Sequence, residues 1–439
     1  MSNKTLLHTA FNQLLKEVTP QRLIAESCKL EGNTFSILTK TYDLDKYKNI
    51  YLLGSGKAVV PMAIEIQKLL NPFLKKTLLI GPYGSEEKFD KGRYIQSTHP
   101  LPSNKSIESA MALQDSMKTF NEDDLFIYLL SGGNSALVEL PEGEISLKEF
   151  QEATSLMLRG GMPIEKMNSI RKHLSRVKGG KLAKNTKAQG IVLVLSDVIG
   201  DDLHAIGSAP LYYDQTSFKD AIEALNTYSL FEKMPKSVQT FLKMGEEGLY
   251  DETPKEPQEH IDHHILGSNS MVLEKAQQIL QNEGINTTII DKPLEGNTTE
   301  LAHALMQFGV SHQESTHAYL FGGESTVVVK GEGKGGRNQH LCLNFLSLMD
   351  GSNDITFLSA ATDGIDGNSN AAGALIDIHS PAYAKAHHID PQHYLEHFDS
   401  NSFFAQTGEL LTPGPTHNNL LDIVMMLIEP KTTQGETNG

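Results

Sequence analysis

Cysteine is nearly missing from this chain of 439 residues: Cys28 and Cys342 are its only two. That excludes a disulfide framework and a cysteine zinc cage, and it fits a reducing compartment. Long apolar runs are missing as well. None approaches the roughly 18 residues of a membrane span, and the opening MSNKTLLHTAFNQLL alternates like an amphipathic helix where a secretory segment would be continuous. A cytoplasmic protein without membrane contact is expected. Positive charge is scarce: 38 Lys and Arg stand against 54 Asp and Glu, a net charge of −16. The balance argues against nucleic acid as a partner and requires any anionic substrate to find a locally basic cleft. No repeat at a solenoid period occurs, and low complexity is confined to the tail KTTQGETNG. With 39% hydrophobic and 21% charged residues the chain reads as a globular protein of about two or three domains.

What is present is concentrated in 319–349, YLFGGESTVVVKGEGKGGRNQHLCLNFLSLM. The β-branched, apolar run 325–330 predicts a strand. Gly331, Gly333, Gly335 and Gly336 then fall within six residues, where the backbone must bend sharply or come close to a ligand. Asn338 is placed to cap a helix whose apolar face is Leu341, Phe345 and Leu348. Lys334 and Arg337 would stand just before that helix start, whose free amides and positive dipole end favour an anion. The GxGxxG pattern alone is a weak signal, since a glycine-rich hairpin beside a core helix would share it. The two cations tilt it towards phosphate.

In chain order, an N-terminal helix or two leads to a short strand at 50–53 that runs into GSGKAVVPMAIEIQKLL. Val59, Ala63, Ile66 and Leu70 form one helix face, and Pro61 falls in the first turn, where its missing amide costs nothing. Lys57 therefore stands at a helix mouth. The GxxxxGK[ST] spacing of a P-loop is absent, so a lone lysine there would simply be solvated. Further strands are expected at 77–80, 94–96, 125–130 and 191–195, the third ending in SGGNSALVEL and the last in SDVIGDDLHAIGSAP. Helices are expected at 105–120, over SLKEFQEATSLMLRGG, which stops at its glycines, and over PIEKMNSIRKHLSRVKGGKLA, the last with a basic face of Arg171, Lys172, His173, Arg176 and Lys178 that reads as solvated. The charged, proline-bearing 246–258 reads as a linker between an N-terminal Rossmann-like domain, 1–245, and a C-terminal domain, 259–430. There the alternation continues, and ITFLSAATDGIDG puts Asp363 and Asp366 at one more strand end. The fold class is α/β: two domains with mostly parallel, helix-covered sheets.

Four strands end in LLGSGK, LLSGGNS, VLSDVIGDD and LSAATDGID, and open α/β sheets bind ligands at the carboxyl ends of their strands. Candidate phosphate or substrate contacts are therefore Gly54, Ser55 and Gly56; Ser131, Gly132, Gly133, Asn134 and Ser135; and Gly333, Lys334, Gly335 and Gly336. Phosphoryl transfer needs phosphate cradling, cations and Mg2+ held by acids, and this combination of residues fits it better than other chemistries. Asp201, Asp202, Asp363 and Asp366 are the candidate metal ligands. Roughly half of such aspartates are expected only to cap helices or close turns.

The runs GSGKA at 54, SGGNSAL at 131, IRKHLSRVKGGKLA at 170, SDVIGDD at 196, GGESTV at 322, GEGKGGRNQ at 331, ATDGIDG at 361 and TPGPTHNNLLDI at 412 together resemble the glycerate 2-kinase family. This is the class II type, with two α/β domains, the second of the MOFRL type, and the motifs occur in order over nearly the whole chain. The resemblance implies transfer of the γ-phosphoryl of ATP to the 2-hydroxyl of D-glycerate with Mg2+, in a cleft between the domains. It places Lys57 and Arg337 on the family's proposed active-site lysine and arginine, and Asp197 on the acidic position of the SDV motif. This chain departs where the family's IASGPT becomes IGSAPL, within IGSAPLYYD at 206–214, and where SGGGSAL becomes SGGNSAL. Asn134 brings a donor and acceptor where a glycine stands, and Ala209, Leu211 and Tyr212 change the bulk beside the expected acceptor pocket. A kinase for a related small hydroxy acid is thus a neighbouring alternative.

Two other functions compete. A hydroxypyruvate reductase using NAD(P)H would read GxGxxG as a dinucleotide fingerprint, but an acid should then end the following strand about 20 residues on, whereas Asp350 and Asp354 precede that strand and Asp363 follows it. A non-catalytic nucleotide or phosphosugar sensor would not need both cations and acids at the strand ends. His260, His263 and His264 would share a helical face and chelate zinc only with a further ligand group, which the neighbourhood lacks. His99, and His387 with His388, have less support as metal ligands.

Overall fold

The computed structural model describes residues 1–82 and 91–431; the low-complexity tail from 432 lies outside them. The chain divides into two compact units, 23–266 and 1–22 together with 267–439. The expected break at 246–258 is displaced because that segment is bonded into the first unit. Glu252 accepts from the Phe218 N–H at 2.8 Å and meets His173 Nε2 at 3.1 Å, and Thr253 Oγ1 donates to Asp214 at 3.2 Å. The first helix, Asn3–Glu17, belongs to the other unit. Its apolar face, Leu7, Phe11 and Leu14, is fully buried, and the helix lies against Asn269–Asn282. Lys4 reaches Glu409 at 2.6 Å, and Asn418 Nδ2 donates to Val18 O at 2.6 Å.

The unit 23–266 opens with an antiparallel meander that the sequence reading did not anticipate, β1 (Cys28–Glu31), β2 (Thr34–Ile37) and β3 (Lys40–Asp43). Its main sheet holds β4 (Asn49–Ser55), β5 (Leu74–Pro82), β6 (Gly92–Ser97), β7 (Asp124–Leu130), β8 (Gln189–Leu195) and β9 (Ile261–Gly267) in the order β6-β5-β4-β7-β8-β9. The pairs from β6 to β8 are all parallel, as expected for strands joined by helical crossovers. β7 is buried along its whole length and β8 from its second residue, because the sheet is covered on both faces. Capping boxes at Ser103, Ser146 and Ser217 start three of the unit's helices. A second apolar cluster, with Phe150, Met157, Phe218 and Phe241, is built from helices alone.

The other unit holds β10 (Thr287–Ile289), β11 (Leu294–Asn297), β12 (His317–Thr326), β13 (Ile355–Ala361), β14 (Gly373–Ile376), β15 (Leu410–Leu411) and β16 (Asp422–Ile428). The order is β10-β12-β16-β13-β14-β15, with β11 also on β12. Here the expected parallel sheet is a mixed one. β10 and β11 run parallel to β12, whereas β16 is antiparallel to both β12 and β13, and β14 is antiparallel to β13 and β15. The helix Arg337–Leu348 carries the chain from β12 to a parallel β13 one place beyond its neighbour, and β16 returns to fill the gap between them. Alternating strands and helices announce the crossover but not the late strand that enters it.

Candidate active site

β4, β7 and β8 are neighbours, so their carboxyl ends bring GSGK, SGGNS and SDV to one sheet edge. Two of these loops are tied to each other. The Gly56 N–H donates to Ile80 O at 3.1 Å, Lys57 N–H to Gly132 O at 2.9 Å, Ala58 N–H to Ser131 Oγ at 3.0 Å and Ser131 N–H to Ser55 O at 3.2 Å. Gly54, Ser55 and Gly56 are therefore not the expected phosphate cradle. A side chain at Gly54 would strike Val59 and Leu129, and one at Gly56, whose φ is +136°, would strike Ser131. Ser55 is fully buried, its hydroxyl 2.5 Å from both the Tyr128 hydroxyl and Asn134 Oδ1. Ser131 is buried and occupied in the same lock.

The SGGNS turn differs. Among the described residues the N–H groups of Gly132, Gly133, Asn134 and Ser135 have no protein acceptor. A Cβ on Gly132 would collide with the Asp197 carboxylate. One on Gly133, at φ +86°, would come within 3.1 Å of the His99 ring and 3.3 Å of the Lys57 chain. An exposed ammonium, an imidazole and a carboxylate thus gather round unclaimed amides. Partial burial of its ring and then the Lys57 charge hold the His99 pKa well below the usual value, so this imidazole is neutral near pH 7. In the sequence His99 has only weak support as a metal ligand; no local signal marks it for this place, because the loop after β6 carries it there.

Asn134 does not point at a substrate. It is buried, accepting from Ser55 Oγ and donating from Nδ2 to Gly207 O at 2.8 Å, so it fastens the turn to IGSAP. That segment is strained: Gly207, Ser208 and Ala209 all have φ between +53° and +61°, and two of them carry a Cβ. Each such residue costs about 1–2 kcal/mol. The conformation is held by Gly179 N–H on Ser208 O at 3.0 Å, by Gly180 N–H on Ala209 O at 2.7 Å, and by the 2.5 Å contact of the Ser208 and Ser135 hydroxyls.

The basic run beneath the site is not a solvated face. The helix Ile164–His173 ends early, and Lys172 and Lys178 turn inward, the first 3.1 Å from Asp214 and the second paired with Glu139 while donating to Ser135 O at 2.9 Å. Burial pushes the Lys178 pKa down to about 8 against the pull of Glu139. Of the expected set only Arg176 is exposed. His263 and His264 lie on β9 rather than on a helix, so they alternate across the sheet. His264 Nε2 meets the Tyr42 hydroxyl at 2.7 Å, and His263 lies edge-on to Tyr212 at 5.0 Å. Zinc is not supported there.

In the other unit the glycine loop is closed on itself. β12 stops at Thr326, short of the strand expected over 325–330, and Val328 and Val329 are exposed. The Lys334 N–H donates to Asp399 Oδ1 at 2.9 Å and the Gly335 N–H to Asn368 Oδ1 at 2.8 Å. A side chain at Gly333 would strike the backbone of 397–398, one at Gly335 would strike Ser400, and one at Gly336 would strike Asp366. The helix Arg337–Leu348 has Gly336 at its N-cap, not Asn338. Its cap is Asp366, which accepts from the Asn338 N–H at 3.1 Å and the Gln339 N–H at 2.8 Å. The expected phosphate seat is thus filled by an internal carboxylate.

Asp366 is therefore a cap and not a metal ligand; burial raises its pKa against these hydrogen bonds. Asp363 accepts from the Ile365 N–H at 3.0 Å and Asp202 from the His204 N–H at 2.9 Å, so both close turns. Asp201, at φ +55°, accepts no hydrogen bond among the described residues. No three of His, Cys, Asp and Glu among them cluster in a way that would hold a metal. Arg337 grips Asp422 from Nε at 2.6 Å and Nη2 at 3.0 Å, and its Nη1 pairs with Glu324. The hydrogen bonds and charge of Asp422 raise the Arg337 pKa further against burial, and burial pushes that of Asp422 up to about 6. Asp422 is the partner the sequence did not reveal, although it opens the buried run DIVMMLI.

Residues 6–243 match the family described as a domain of unknown function, DUF4147, and residues 317–422 match the MOFRL family. A glycerate 2-kinase of Pyrococcus horikoshii is 34% identical over 95% of this chain and 96% of its own. A D-glycerate 2-kinase of Thermotoga maritima is 34% identical over 86% and 90%. The solved structure of a glycerate kinase from Thermotoga maritima superposes with a TM-score of 0.85 at 32% identity, covering 97% of this chain and 99% of that one. A solved Pyrococcus horikoshii protein gives the same TM-score over 98% and 99%.

Proposed function

The chain belongs to the glycerate 2-kinase family, and on that premise we propose that it transfers the γ-phosphoryl of ATP to the 2-hydroxyl of D-glycerate. The observation that carries the reading is the group round the SGGNS turn: Lys57, Asp197 and four amides without an acceptor among the described residues, on one strand-end edge. Phosphoryl transfer is catalysed chiefly by positioning and by fixed donors for anionic oxygens, which such a turn and an ammonium supply. Asp197 is assigned to the hydroxyl proton or the metal, because it stands over Gly132 where the acceptor would meet those donors.

Arg337 keeps two of its five donors and its side chain is 28% exposed, but its charge is already met by Asp422 and Glu324. Lys57 is therefore the principal cation of the reaction in this reading. Mg2+ in kinases is held by one or two carboxylates together with substrate phosphates rather than by a protein cage. Asp197 and Asp201 fit that demand, and the ion would supply neutralisation of phosphate charge. The Lys334 and Gly335 amides of GEGKGG are held by Asp399 and Asn368, and those of Asn338 and Gln339 at the helix start by Asp366, which argues against a dinucleotide pyrophosphate there and so against the reductase alternative. No helix of the described residues is long and apolar enough to cross a membrane. The two free, buried cysteines suit a reducing cytoplasm.

Phosphorus NMR of the product made from ATP and D-glycerate tests the reading. A 2-phosphate is expected. A 3-phosphate, or no ATP consumption with any small hydroxy acid, overturns it. Because the left-handed run at Ser208 and Ala209 abuts the turn, a panel of related 2-hydroxy acids in the same assay decides between glycerate and a neighbouring acceptor.

A further inference from the structure

A cavity of about 460 Å3 lies wholly within the unit that contains β10 to β16. It sits at the carboxyl ends of two adjacent parallel strands. Asn297 ends β11 beside Thr326 at the end of β12, and Val327, Val328 and Lys330 of the following loop line the opening. Open sheets take ligands at that place, and the volume falls within the roughly 300–1,000 Å3 of small-molecule sites.

Two kinds of group share the lining. The first kind seeks an anion. The helix Thr298–Ser311 begins there and presents the positive end of its dipole. Thr298 is 1% exposed, and its Oγ1 has no hydrogen-bond partner, a costly state for a buried hydroxyl that a ligand would relieve. Lys330 forms no ion pair among the described residues. The second kind suits a flat, partly apolar body. Phe398 lies parallel to His340 at 5.3 Å, Leu395 stands beside it, and Asn344 uses its Nδ2 on His340 O, leaving Oδ1 to accept. At the rim Glu396, 3.0 Å from Gln392 Nε2, can take sugar hydroxyls.

We infer that this cavity binds the nucleotide co-substrate, its phosphates at the start of Thr298–Ser311 and at Lys330, its base against Phe398. In the glycine loop next to it the Lys334 and Gly335 amides are already held by Asp399 and Asn368, and the start of the helix after it is capped by Asp366, which favours the start of Thr298–Ser311 as the donor of this edge. The identity of the ligand as a nucleotide rests on the phosphoryl-transfer reading; the cavity and its unpartnered hydroxyl do not.

Calorimetric titration of the full chain with Mg2+ and a non-hydrolysable ATP analogue tests the assignment. Lys330→Glu, at an exposed position, should weaken binding by about tenfold or more, as expected for reversing a charge beside phosphate. Thr298→Val should weaken it by about threefold while leaving the melting temperature unchanged or raised, because the lost hydroxyl has no partner within the protein. Unchanged affinity in both variants, or no nucleotide binding by the wild type, overturns the assignment. If binding keeps this dependence while no hydroxy acid is phosphorylated, the acceptor reading fails and the nucleotide site stands.

Discussion

SGGNS at 131–135 and GEGKGG at 331–336 each follow a strand and lead into a helix, yet their amides have opposite fates. Those of Gly132 to Ser135 find no acceptor among the described residues, while those of Lys334 and Gly335 in the second loop are held by Asp399 and Asn368, and those of Asn338 and Gln339 in the helix after it by Asp366. The cations follow suit. Lys57 is exposed, and Arg337 is gripped by two carboxylates. Glycine records that backbone must come close to something; whether that is a ligand or the chain's own carboxylate depends on residues more than 25 positions away.

The largest break in this contrast should come from Arg337→Ala. It leaves Asp422 buried without its counter-charge, and breaking such a pair costs about 3–5 kcal/mol. Chemical denaturation should show the loss. A variant as stable as the wild type would mean that Arg337 is held for a ligand and not for the fold. Next is Lys57→Ala on the open side. Thermal stability should stay near that of the wild type, while turnover falls by about a hundredfold or more for loss of a cation at the transferring group. Turnover within about threefold would remove Lys57 from the reaction.

The smallest effect sharpens the closed side. His340, on the helix capped by Asp366, is buried against Phe398, and burial pushes its pKa down to about 4 from an unfolded value of about 6.5. A depressed folded value means that the native state favours the neutral ring. Its stability is therefore fully present above pH 6.5 and lost progressively as pH falls towards 4. Between pH 6.5 and 5 the loss from this one ring should reach about 2 kcal/mol, read from denaturation at each pH with His340→Gln as the reference. Parallel curves for the two proteins would show that the ring is not buried as described.

The strand-end logic was legible in the sequence because it rests on local patterns. Apolar runs at 125–130 and 191–195 became β7 and β8, and the stretch expected as a helix from Ser146 became Leu147–Arg159. Partner choice was not legible. The basic run at 171–178 looks solvated until Glu139 and Asp214 arrive from distant segments, and Asp366 looks like a metal ligand until it meets the amides of a helix begun 29 residues earlier, at Arg337. His260, His263 and His264 misled through period: a helix would have gathered them, whereas β9 separates His263 from His264.

The placement of β16 between β12 and β13 fixes a timetable. A ribosome working at roughly 5–20 residues per second has made Asn3–Glu17 some twenty seconds to more than a minute before it makes Asp422–Ile428. Throughout that interval the first helix has no completed surface to cover, and from the time β13 is made it and β12 have an unfilled gap between them. The unit 23–266 can meanwhile close its own sheet, since all six of its strands are by then available. Synthesis therefore imposes a sequence of events in which the middle of the chain matures first, and both ends must be kept from stray pairing until the final strand arrives.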